Sequence, residues 1–313
     1  MKKLLLIDAN SIIHRSFHAI PPFTNPEGTP SGAIYGIASI LLKLWREDRP
    51  DYVAALFDRP EPTFRDKIYA EYKAQRPQAP SELIQQIIEA HNLFAAFGIK
   101  TFEKPGFEAD DLIATLAEKF KTVDDLQVVI LTGDRDTLQI VEGNKLVVQT
   151  FNKGVSDTTT YNEQAVIEKY HLPPARLLDY KALVGDSSDN IKGVPGVGPK
   201  TALELLQRFG SIKEMFARID EDPKIKQKFG AYKKEAELSY ELVTLERNVP
   251  MEMPFLDELV PFATTTGAEA YFIKMGFATL LKRLYNKDEP AAPKKARRAK
   301  GETATGNIQN TLF

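Results

Sequence analysis

Three short apolar runs, each followed by an aspartate, constrain the fold of this chain more than any other feature. The runs cover residues 3–7, 53–57 and 127–131. The aspartates that follow them within a few positions are Asp8, Asp58 and Asp134. Helical patterns fill the intervals, at residues 33–46, 81–97 and 109–120. Strands that alternate with helices predict a mostly parallel sheet with helices on both faces, and such sheets bind ligands at the carboxyl ends of their strands. We therefore expect an α/β fold in which the three aspartates meet at one edge of the sheet.

The second half of the chain has a different character. Strand patterns fade, and residues 162–286 show helical periodicity interrupted by the glycine-rich stretch 193–198. The last stretch, residues 287–313, is polar, rich in Pro, Ala and Lys, and holds six basic against three acidic residues, a composition unlike that of a folded domain. The predicted organisation is an α/β domain over 1–184, a helical domain over 185–286 and a flexible basic tail over 287–313.

Composition argues against several classes of function. The 313 residues contain no cysteine and only four histidines, which excludes disulfides and thiol nucleophiles and argues against a zinc hydrolase. No apolar run approaches the ~20 residues that a membrane span needs, and the first run is interrupted by Asp8, so no secretion signal is expected. With 43% hydrophobic residues the chain has ample material for a core. We expect a cytoplasmic protein without membrane contact, and a monomer.

Carboxylates at predicted element ends form the most specific pattern. There are nine, in five clusters: Asp8; Asp58; Glu108, Asp110 and Asp111; Asp134 and Asp136; Asp186 and Asp189. A parallel sheet brings the first four clusters to one edge, where the acids would raise each other's pKa values unless divalent cations neutralise them. Oxygen ligands favour Mg²⁺ or Mn²⁺, and two such ions can activate water and stabilise the leaving oxygen of a phosphodiester. The set predicts phosphoryl chemistry.

Each cluster taken alone has a simpler explanation. Aspartate at a strand–helix junction is commonly an N-cap, and acids in a first helical turn complement the helix dipole. An aspartyl-phosphate mechanism would need a second Asp two residues after Asp8, where Asn10 stands. Neither a GxxxxGK[ST] loop nor a GxGxxG fingerprint occurs, which argues against P-loop and dinucleotide-binding functions. The metal hypothesis therefore depends on the convergence of the clusters.

A segment just after Asp58, residues 64–76, carries cations and aromatics at helical spacing. Four of its residues recur at i, i+3, i+4 and i+7, hence on one predicted helical face: Tyr69, Tyr72, Lys73 and Arg76. Such a face can stack a base and hold a phosphate. The alternative is an ordinary amphipathic helix whose tyrosines pack and whose cations face solvent.

The stretch 193–201 (GVPGVGPKT) reads as a tight hairpin that leads into a helix. Glycines let backbone N–H groups approach a phosphate closely, the helix N-terminus favours the anion, and Lys200 adds a point charge. Contacts of this kind hold a duplex without reading its sequence. An ordinary αα-hairpin is the alternative.

On these motifs the sequence resembles the 5′ nuclease (flap endonuclease) family, in particular the 5′ nuclease domain of bacterial DNA polymerase I. The resemblance runs from about residue 3 to 286 and rests on four long motifs: FDRPEPTFRDKIYAEYKAQRP, GFEADDLIATLA, ILTGDRDTLQIV and GDSSDNIKGVPGVGPKTALELL. It implies a parallel-sheet core, a helical arch and a C-terminal helix–hairpin–helix (helix–three-turn–helix) subdomain that binds duplex DNA.

The resemblance also implies roles for individual residues. All nine carboxylates match the family's metal-site acids. The positions that grip the scissile strand match five residues: Arg15, Arg65, Tyr72, Lys73 and Arg76. The duplex-binding hairpin, which in the family also holds a monovalent cation, usually K⁺, matches seven: Gly193, Val194, Gly196, Val197, Gly198, Lys200 and Thr201.

The last five residues, 309–313, resemble the Q-x-x-L-F peptide by which bacterial replication proteins dock on the sliding clamp. The matching residues are Gln309, Leu312 and Phe313. A flexible tether that ends in an apolar pair suits a docking peptide. An incidental tail fits the same residues.

The combined expectation is a stand-alone, structure-specific 5′-3′ exonuclease or flap endonuclease with two Mg²⁺ or Mn²⁺ ions. It would act on DNA with 5′ ends or flaps and on RNA–DNA hybrids, in replication, where it removes RNA primers, and in repair. Lys73 and Arg76 would neutralise developing charge while Tyr72 stacks the displaced base. Two alternatives stay open: a catalytically weak DNA-junction-binding scaffold recruited to the clamp, and an RNase of the PIN type, against which the length and the hairpin domain argue.

Overall fold

A six-stranded sheet forms the centre of the molecule. The computed structural model describes residues 1–152, 154, 157–259 and 265–285. The strands are β1 (Lys2–Asp8), β2 (Tyr52–Leu56), β3 (Lys100–Phe102), β4 (Leu126–Thr132), β5 (Leu146–Phe151) and β6 (Thr158–Tyr161). Their order is β3-β2-β1-β4-β5-β6; the first five are parallel, and β6 pairs antiparallel with β5. The predicted α/β fold with a mostly parallel sheet is confirmed.

Helices cover both faces of the sheet and continue beyond it. In the part of the chain that the structure describes they are α1 (Ala9–Ala19), α2 (Gly32–Lys43), α3 (Phe64–Ile68), α4 (Ser81–Ala96), α5 (Ala109–Phe120), α6 (Glu163–Tyr170), α7 (Pro174–Val184), α8 (Pro199–Phe209), α9 (Ile212–Ala217), α10 (Pro223–Phe229), α11 (Lys233–Val243), α12 (Thr265–Lys274) and α13 (Ala278–Tyr285). A short 3₁₀ helix, Asp136–Ile140, follows β4. None of the helices in these ranges is long and apolar enough to cross a bilayer.

The alternation of side chains along β1 explains why the sheet is buried on both faces. Leu4 and Leu6 pack into the core that contains α5, whereas Leu5 and Ile7 pack into the core that contains α1, α2 and α4. All four side chains are at most 2% exposed. Since successive residues of a strand point to opposite faces, a continuous apolar run is what a sheet covered on both sides requires.

The strand order brings the acidic segments together. β1 lies between β2 and β4, with Asp8 paired with Leu56 and Ile7 with Leu131. The chain leaves β1 toward β2 and β3 on one side and later returns to β4 and β5 on the other. Open parallel sheets have their binding crevice at the carboxyl ends of the strands where the order reverses, which here is the point between β1 and β4.

The two last helices pack against helices that cover the sheet. α12 packs against α4 and α13 against α2, so residues 265–285 belong to the layer that covers the sheet. The helices α7, α8 and α11 pack together. The domain boundaries at 184/185 and 286/287 stay predictions. The predicted tail and the residues Gln309, Leu312 and Phe313 lie outside the described residues.

Candidate active site

A cleft of about 1630 Å³ opens at the carboxyl edge of the sheet. Its wall contains seven of the nine predicted acids: Asp8, Asp58, Glu108, Asp110, Asp134, Asp136 and Asp186. The remaining two, Asp111 and Asp189, are not part of the wall. The structure therefore brings most of the acidic clusters to one crevice.

Asp8 ends β1 and caps α1 at the same time. Its Oδ1 accepts from the Ser11 N–H at 2.9 Å, and its Oδ2 accepts from the Thr132 hydroxyl at 2.6 Å. The side chain is buried, and burial together with the charge of Asp58 raises its pKa to about 7. The capping role and a site role are thus compatible in one residue. Asp58, which follows β2, accepts from the Ala109 N–H at 2.7 Å and so fixes the start of α5.

The loop after β4 presents Asp134 and Asp136. The Asp136 N–H donates to Asp134 Oδ1 at 2.9 Å, and burial together with the charge of Asp134 raises the pKa of Asp136 to about 8. The Lys181 ammonium donates to Asp136 and, at 2.7 Å, to Asp186 Oδ2. Burial alone would raise the pKa of Asp186, but the charge and hydrogen bond of Lys181 lower it to about 2. Lys181 therefore acts as the counter-ion of two acids.

Asp110 is the acid whose environment is least satisfied. Its Oδ1 is buried and has no hydrogen-bond partner among the described residues. Burial, followed by the charges of Asp8 and Asp134, raises its pKa well above the ordinary value of 3.8. An orphaned carboxylate oxygen beside other carboxylates fits a hard divalent cation, which ligates through oxygen and removes the repulsion. Within the described ranges, however, no three acidic or histidine side chains already converge closely enough to hold an ion.

Cations from the segment after α3 also line the cleft. The Lys73 ammonium lies 2.7 Å from Glu108 Oε1, and the Arg76 guanidinium lies 2.5 Å from Asp189 Oδ1. The Tyr72 hydroxyl donates to both of these acids, at 3.2 and 3.1 Å. In this state the cations neutralise carboxylates and are placed within reach of any phosphate that enters.

The predicted helical face over this segment is wrong. α3 ends at Ile68, and residues 70–75 form turns, with Lys73 in the left-handed region at φ 52°. The Lys73 N–H donates to the Asp189 carbonyl oxygen at 3.0 Å, a contact that no local spacing reveals. The Tyr72 ring is 5% exposed, so in this conformation it cannot stack a displaced base.

Arg65 and Asp111 form a buried ion pair outside the cleft. Both Oδ atoms of Asp111 accept from the guanidinium at 2.7 Å, and the two residues are 1% and 0% exposed. Neither side chain is part of the cleft wall, although the Arg65 guanidinium also lies 3.7 Å from Glu108 Oε2. The strand-gripping role of Arg65 and the metal-binding role of Asp111 stay predictions. Arg15, by contrast, lines the cleft; its Nε donates to the Gly154 carbonyl oxygen at 2.6 Å, and its guanidinium lies 5.1 Å from the centre of the Phe151 ring.

The glycine-rich hairpin is divided between core and surface. A Cβ on Gly193 would lie 2.4 Å from the Gly185 backbone nitrogen, so these two glycines allow the ends of the 185–193 loop to touch. Val194 and Val197 are buried, and their N–H groups already donate to the carbonyl oxygens of Leu183 and Val194. Gly193 and these two valines are thus buried in this structure, and their contact with DNA stays a prediction. The exposed or half-exposed members are Gly196, Gly198, Lys200 and Thr201, around the start of α8.

Comparison with known proteins decides the family. The model of the 5′-3′ exonuclease N-terminal resolvase-like domain matches residues 3–171, more than half of the chain, and that of the 5′-3′ exonuclease C-terminal SAM fold matches residues 172–263. The chain belongs to the 5′-3′ exonuclease family. It is thereby placed among the nuclease hydrolases, as the resemblance of its motifs implied.

Relatives in the 5′-3′ exonuclease family differ in length. The chain is 42% identical over 254 residues to a protein named 5′-3′ exonuclease from Aquifex aeolicus. The aligned region covers 81% of this chain and 85% of that protein. It is 39% identical over 285 residues to DNA polymerase I of Bacillus subtilis, and the aligned region covers 90% of this chain but 32% of the polymerase. The chain thus spans about a third of the polymerase and most of the exonuclease.

Solved structures share the fold of this 5′-3′ exonuclease family member. T5 5′-exonuclease, in a structure with bound zinc, superimposes with a TM-score of 0.64 at 20% identity and covers 91% of this chain and 98% of its own. Human GEN1 in complex with Holliday junction DNA gives a TM-score of 0.59 at 17% identity, over 90% of this chain and 71% of its own. At such identities the likeness shows the fold.

Several cleft residues were missed by the sequence reasoning. Lys181 is the most consequential, and its position in the last turn of α7, just before Asp186, was the available signal. His14 and His18 also line the cleft from α1, one helical turn apart. Lysines and histidines on amphipathic helices are common, so only the fold shows that these face the acids of the exonuclease cleft.

Proposed function

We propose that this chain is a structure-specific 5′-3′ exonuclease or flap endonuclease that hydrolyses phosphodiester bonds with the help of divalent cations. The observation that carries the proposal is the convergence of repelling carboxylates, above all the orphaned Asp110 oxygen, at the carboxyl edge of the sheet. The family, and the name 5′-3′ exonuclease carried by the Aquifex relative, support the same reaction.

Five acids of the cleft are our candidates for holding divalent ions, Mg²⁺ or Mn²⁺, as a pair. They are Asp8, Asp58, Asp110, Asp134 and Asp136. Glu108, Asp186 and Asp189 would join them where Lys73, Arg76 and Lys181 release their carboxylates. When bound, such ions supply an activated water and neutralise charge on the phosphodiester. Burial and neighbouring carboxylates raise the pKa values of Asp8 and Asp136, so their ionised forms are unfavourable without a counter-charge. A nearby dication would supply that charge and stabilise the ionised carboxylates, which favours the same assignment.

The cations of the cleft would bind the substrate. Lys73, Arg76 and Arg15 lie along its wall, and an arginine fork matches a phosphate in two parallel hydrogen bonds. Each would exchange a carboxylate or carbonyl partner for a phosphate oxygen. This exchange couples substrate entry to the release of Glu108 and Asp189.

The exposed part of the hairpin would hold the duplex. Gly196, Gly198 and Lys200 present backbone N–H groups and an ammonium at the start of α8, where anions are favoured. A K⁺ ion bridging the hairpin and a phosphate belongs to the same proposal. Such contacts fix the distance between the duplex and the cut without reading sequence.

In the cell, this nuclease would act in the bacterial cytoplasm on 5′ flaps, 5′ ends and RNA–DNA hybrids of replication and repair. The relatives are bacterial and include polymerases, which supports that setting. Docking of residues 309–313 on a sliding clamp and a monomeric state remain predictions.

A junction-binding scaffold is the second candidate. The structure favours it in one respect: Lys73, Arg76 and Lys181 already neutralise acids that a metal would need. In that case the cleft would bind DNA without cutting it.

The test uses a 5′-labelled flap duplex with Mg²⁺, with Mn²⁺ and with EDTA. Asp134→Ala is the site variant, and Asp124→Ala, an exposed aspartate just before β4, is the matched control. We expect metal-dependent cutting near the junction that Asp134→Ala abolishes and Asp124→Ala retains. Tight binding to the flap without cutting in either metal would refute the nuclease and establish the scaffold.

A further inference from the structure

A stretch of backbone at the end of α11 is held by buried polar side chains. We call residues 242–249, which follow from the end of α11, the strap. Four side chains hydrogen-bond its backbone and are at most 5% exposed: Arg65, Asp111, Thr115 and Gln139. Buried polar side chains in proteins normally have hydrogen-bond partners, and these four find theirs on one short strap.

Arg65 and Asp111 make the central contact. The Arg65 guanidinium donates from Nε to the Leu242 carbonyl oxygen at 2.9 Å and from Nη2 to the Thr244 carbonyl oxygen at 2.8 Å, besides its two bonds to Asp111. Asp111 in turn accepts from the Glu246 N–H at 2.9 Å. The pair and the strap therefore share one hydrogen-bond network, in which the directional fork of arginine fixes both partners.

Asp111 also reaches the acids of the cleft. Its Oδ2 accepts from the Glu108 N–H at 3.1 Å, which closes a capping box at the start of α5. Glu108 and Asp110 both lie in the cleft wall within that first turn. The network thus sets the orientation of the turn that presents two of the acids.

Gln139 extends the network to a second acid-bearing element, and Thr115 adds a further contact from α5. The Gln139 amide donates to the Val243 carbonyl oxygen at 3.1 Å and accepts from the Leu245 N–H at 3.3 Å. Gln139 belongs to the 3₁₀ helix that begins with Asp136. Thr115, on α5, accepts from the Val249 N–H at 3.1 Å.

The strap also leads to the hairpin helices. It continues α11, which packs against α7, the helix that carries Lys181. A buried ion pair adds little net stability compared with apolar residues of the same size. Its value here is directional, because the pair ties the start of α5 to the strap, and Gln139 ties the 3₁₀ helix after β4 to the same strap.

We propose that the strap is a positioning element of the cleft, and that Arg65, Asp111 and Gln139 are positioning residues that set the spacing of the acids without binding metal or nucleic acid themselves. The inference rests on the proposed function, because the acids it positions are those assigned there to the divalent ions. It replaces the predicted ligand role of Asp111 and the predicted strand-gripping role of Arg65 with a single structural cause.

The first test is Gln139→Met, which removes two strap contacts and leaves no buried charge. The matched control is Gln86→Met: Gln86 is equally buried and holds the Ala33 N–H and the Glu82 carbonyl oxygen, outside the cleft wall. Three quantities are measured on the full chain: Mn²⁺ affinity without DNA by calorimetry, melting temperature in EDTA, and kcat and KM on the flap. We expect Gln139→Met to weaken Mn²⁺ binding and kcat roughly tenfold each, with KM within about twofold.

The control separates positioning from stability. Gln86→Met should lower the melting temperature by a similar amount while Mn²⁺ affinity and kcat stay at wild-type values. Unchanged Mn²⁺ affinity and kcat in Gln139→Met would overturn the proposal, as would an equal loss in Gln86→Met.

A second pair of variants tests Arg65 and Asp111 directly. The double substitution Arg65→Met with Asp111→Leu replaces the ion pair by apolar side chains, so it should keep most of the stability but lose Mn²⁺ affinity and kcat. A double variant that keeps the Mn²⁺ affinity, the kcat and the stability of the wild type would overturn the positioning role. The single variant Asp111→Asn is the second member of the pair. If it loses Mn²⁺ affinity while its melting temperature stays unchanged, Asp111 is a metal ligand, and the positioning role is overturned too.

Failure of the proposed function gives a different pattern. If the wild type binds Mn²⁺ but does not cut, the nuclease proposal fails, and the Mn²⁺ affinities of the variants still decide the strap. A wild type that binds no Mn²⁺ overturns both.

Discussion

Without metal, the cleft should destabilise the protein as pH rises, and Asp8→Asn should relieve that effect. Asp8 has an ordinary pKa of 3.8 in an unfolded chain, whereas burial and the charge of Asp58 raise it to about 7 in the folded protein. Between these values the folded chain binds more protons than the unfolded chain. The free energy of unfolding therefore falls as pH rises from about 4 to about 7 and stays low above that range.

The size of the effect follows from the shift. One pKa unit corresponds to 1.36 kcal/mol, so a shift of about three units removes about 4 kcal/mol at high pH. Asn at position 8 keeps an acceptor for the Ser11 N–H but leaves the Thr132 hydroxyl without its carboxylate acceptor, a loss of about 1 kcal/mol. The variant should thus gain about 3 kcal/mol in EDTA, or roughly 6–12 °C in melting temperature.

The assay is thermal unfolding in EDTA across a pH series, repeated with Mg²⁺. We expect Asp8→Asn to show no gain in melting temperature near pH 4 and the full gain at about pH 8. In Mg²⁺ the order should reverse, because only the wild type has the Asp8 carboxylate to bind the ion. Asp222→Asn is the control, since Asp222 also caps a helix, α10, but has a lowered pKa. That substitution should destabilise at pH 8. A pH-independent difference between Asp8→Asn and wild type would refute the reasoning.

Three further predictions concern Gly185, Tyr72 and Lys181. Gly185→Ala, at φ +86°, puts a Cβ 2.4 Å from the Ile191 carbonyl oxygen and should cost more than the ~1–2 kcal/mol expected of Gly196→Ala, which has a positive φ but open space; equal losses in urea unfolding would contradict the clash. Tyr72→Phe removes a buried hydroxyl that donates to two carboxylates and should lower the free energy of unfolding by about 1–3 kcal/mol, whereas an unchanged urea midpoint would place the hydroxyl in solvent. Lys181→Met leaves two acids without their counter-ion and should cost on the order of 3 kcal/mol in EDTA at pH 8, with part regained in Mg²⁺; a melting temperature equal to wild type would disprove that role.

The sequence predicted the centre of the fold better than its edges. β1, β2 and β4 have continuous apolar runs because both faces of a central strand are covered. β3 has three residues, and β6 (TTTY) is a polar edge strand, so neither shows a pattern that stands out from a loop. Pairing with an existing strand, a tertiary contact, decides both.

The same limit explains the errors at the site. Asp110 and Asp111 are neighbours in one motif, yet one lines the cleft and the other is buried against Arg65, because adjacent helical residues point about 100° apart. Periodicity made 64–76 a helix, whereas contacts with the loop 186–192 hold most of it as turns. Residue types predicted the chemistry, whereas the positions of these side chains depend on partners 46 residues away, for Asp111 and Arg65, or 112 residues away, for Gln75 and Ser187.

The central position of β1 governs the order in which the nascent chain can fold. β1 is synthesised first, but its partner β4 begins at Leu126, and ribosomes add roughly 5–20 residues per second. For roughly 6–25 s the apolar residues 4–7 therefore lack one edge of their sheet, which makes them a natural binding segment for chaperones. In the sequence, the acids of the cleft extend from Asp8 to Asp186. The growing polypeptide therefore completes its acidic cleft only after the whole sheet has left the ribosome.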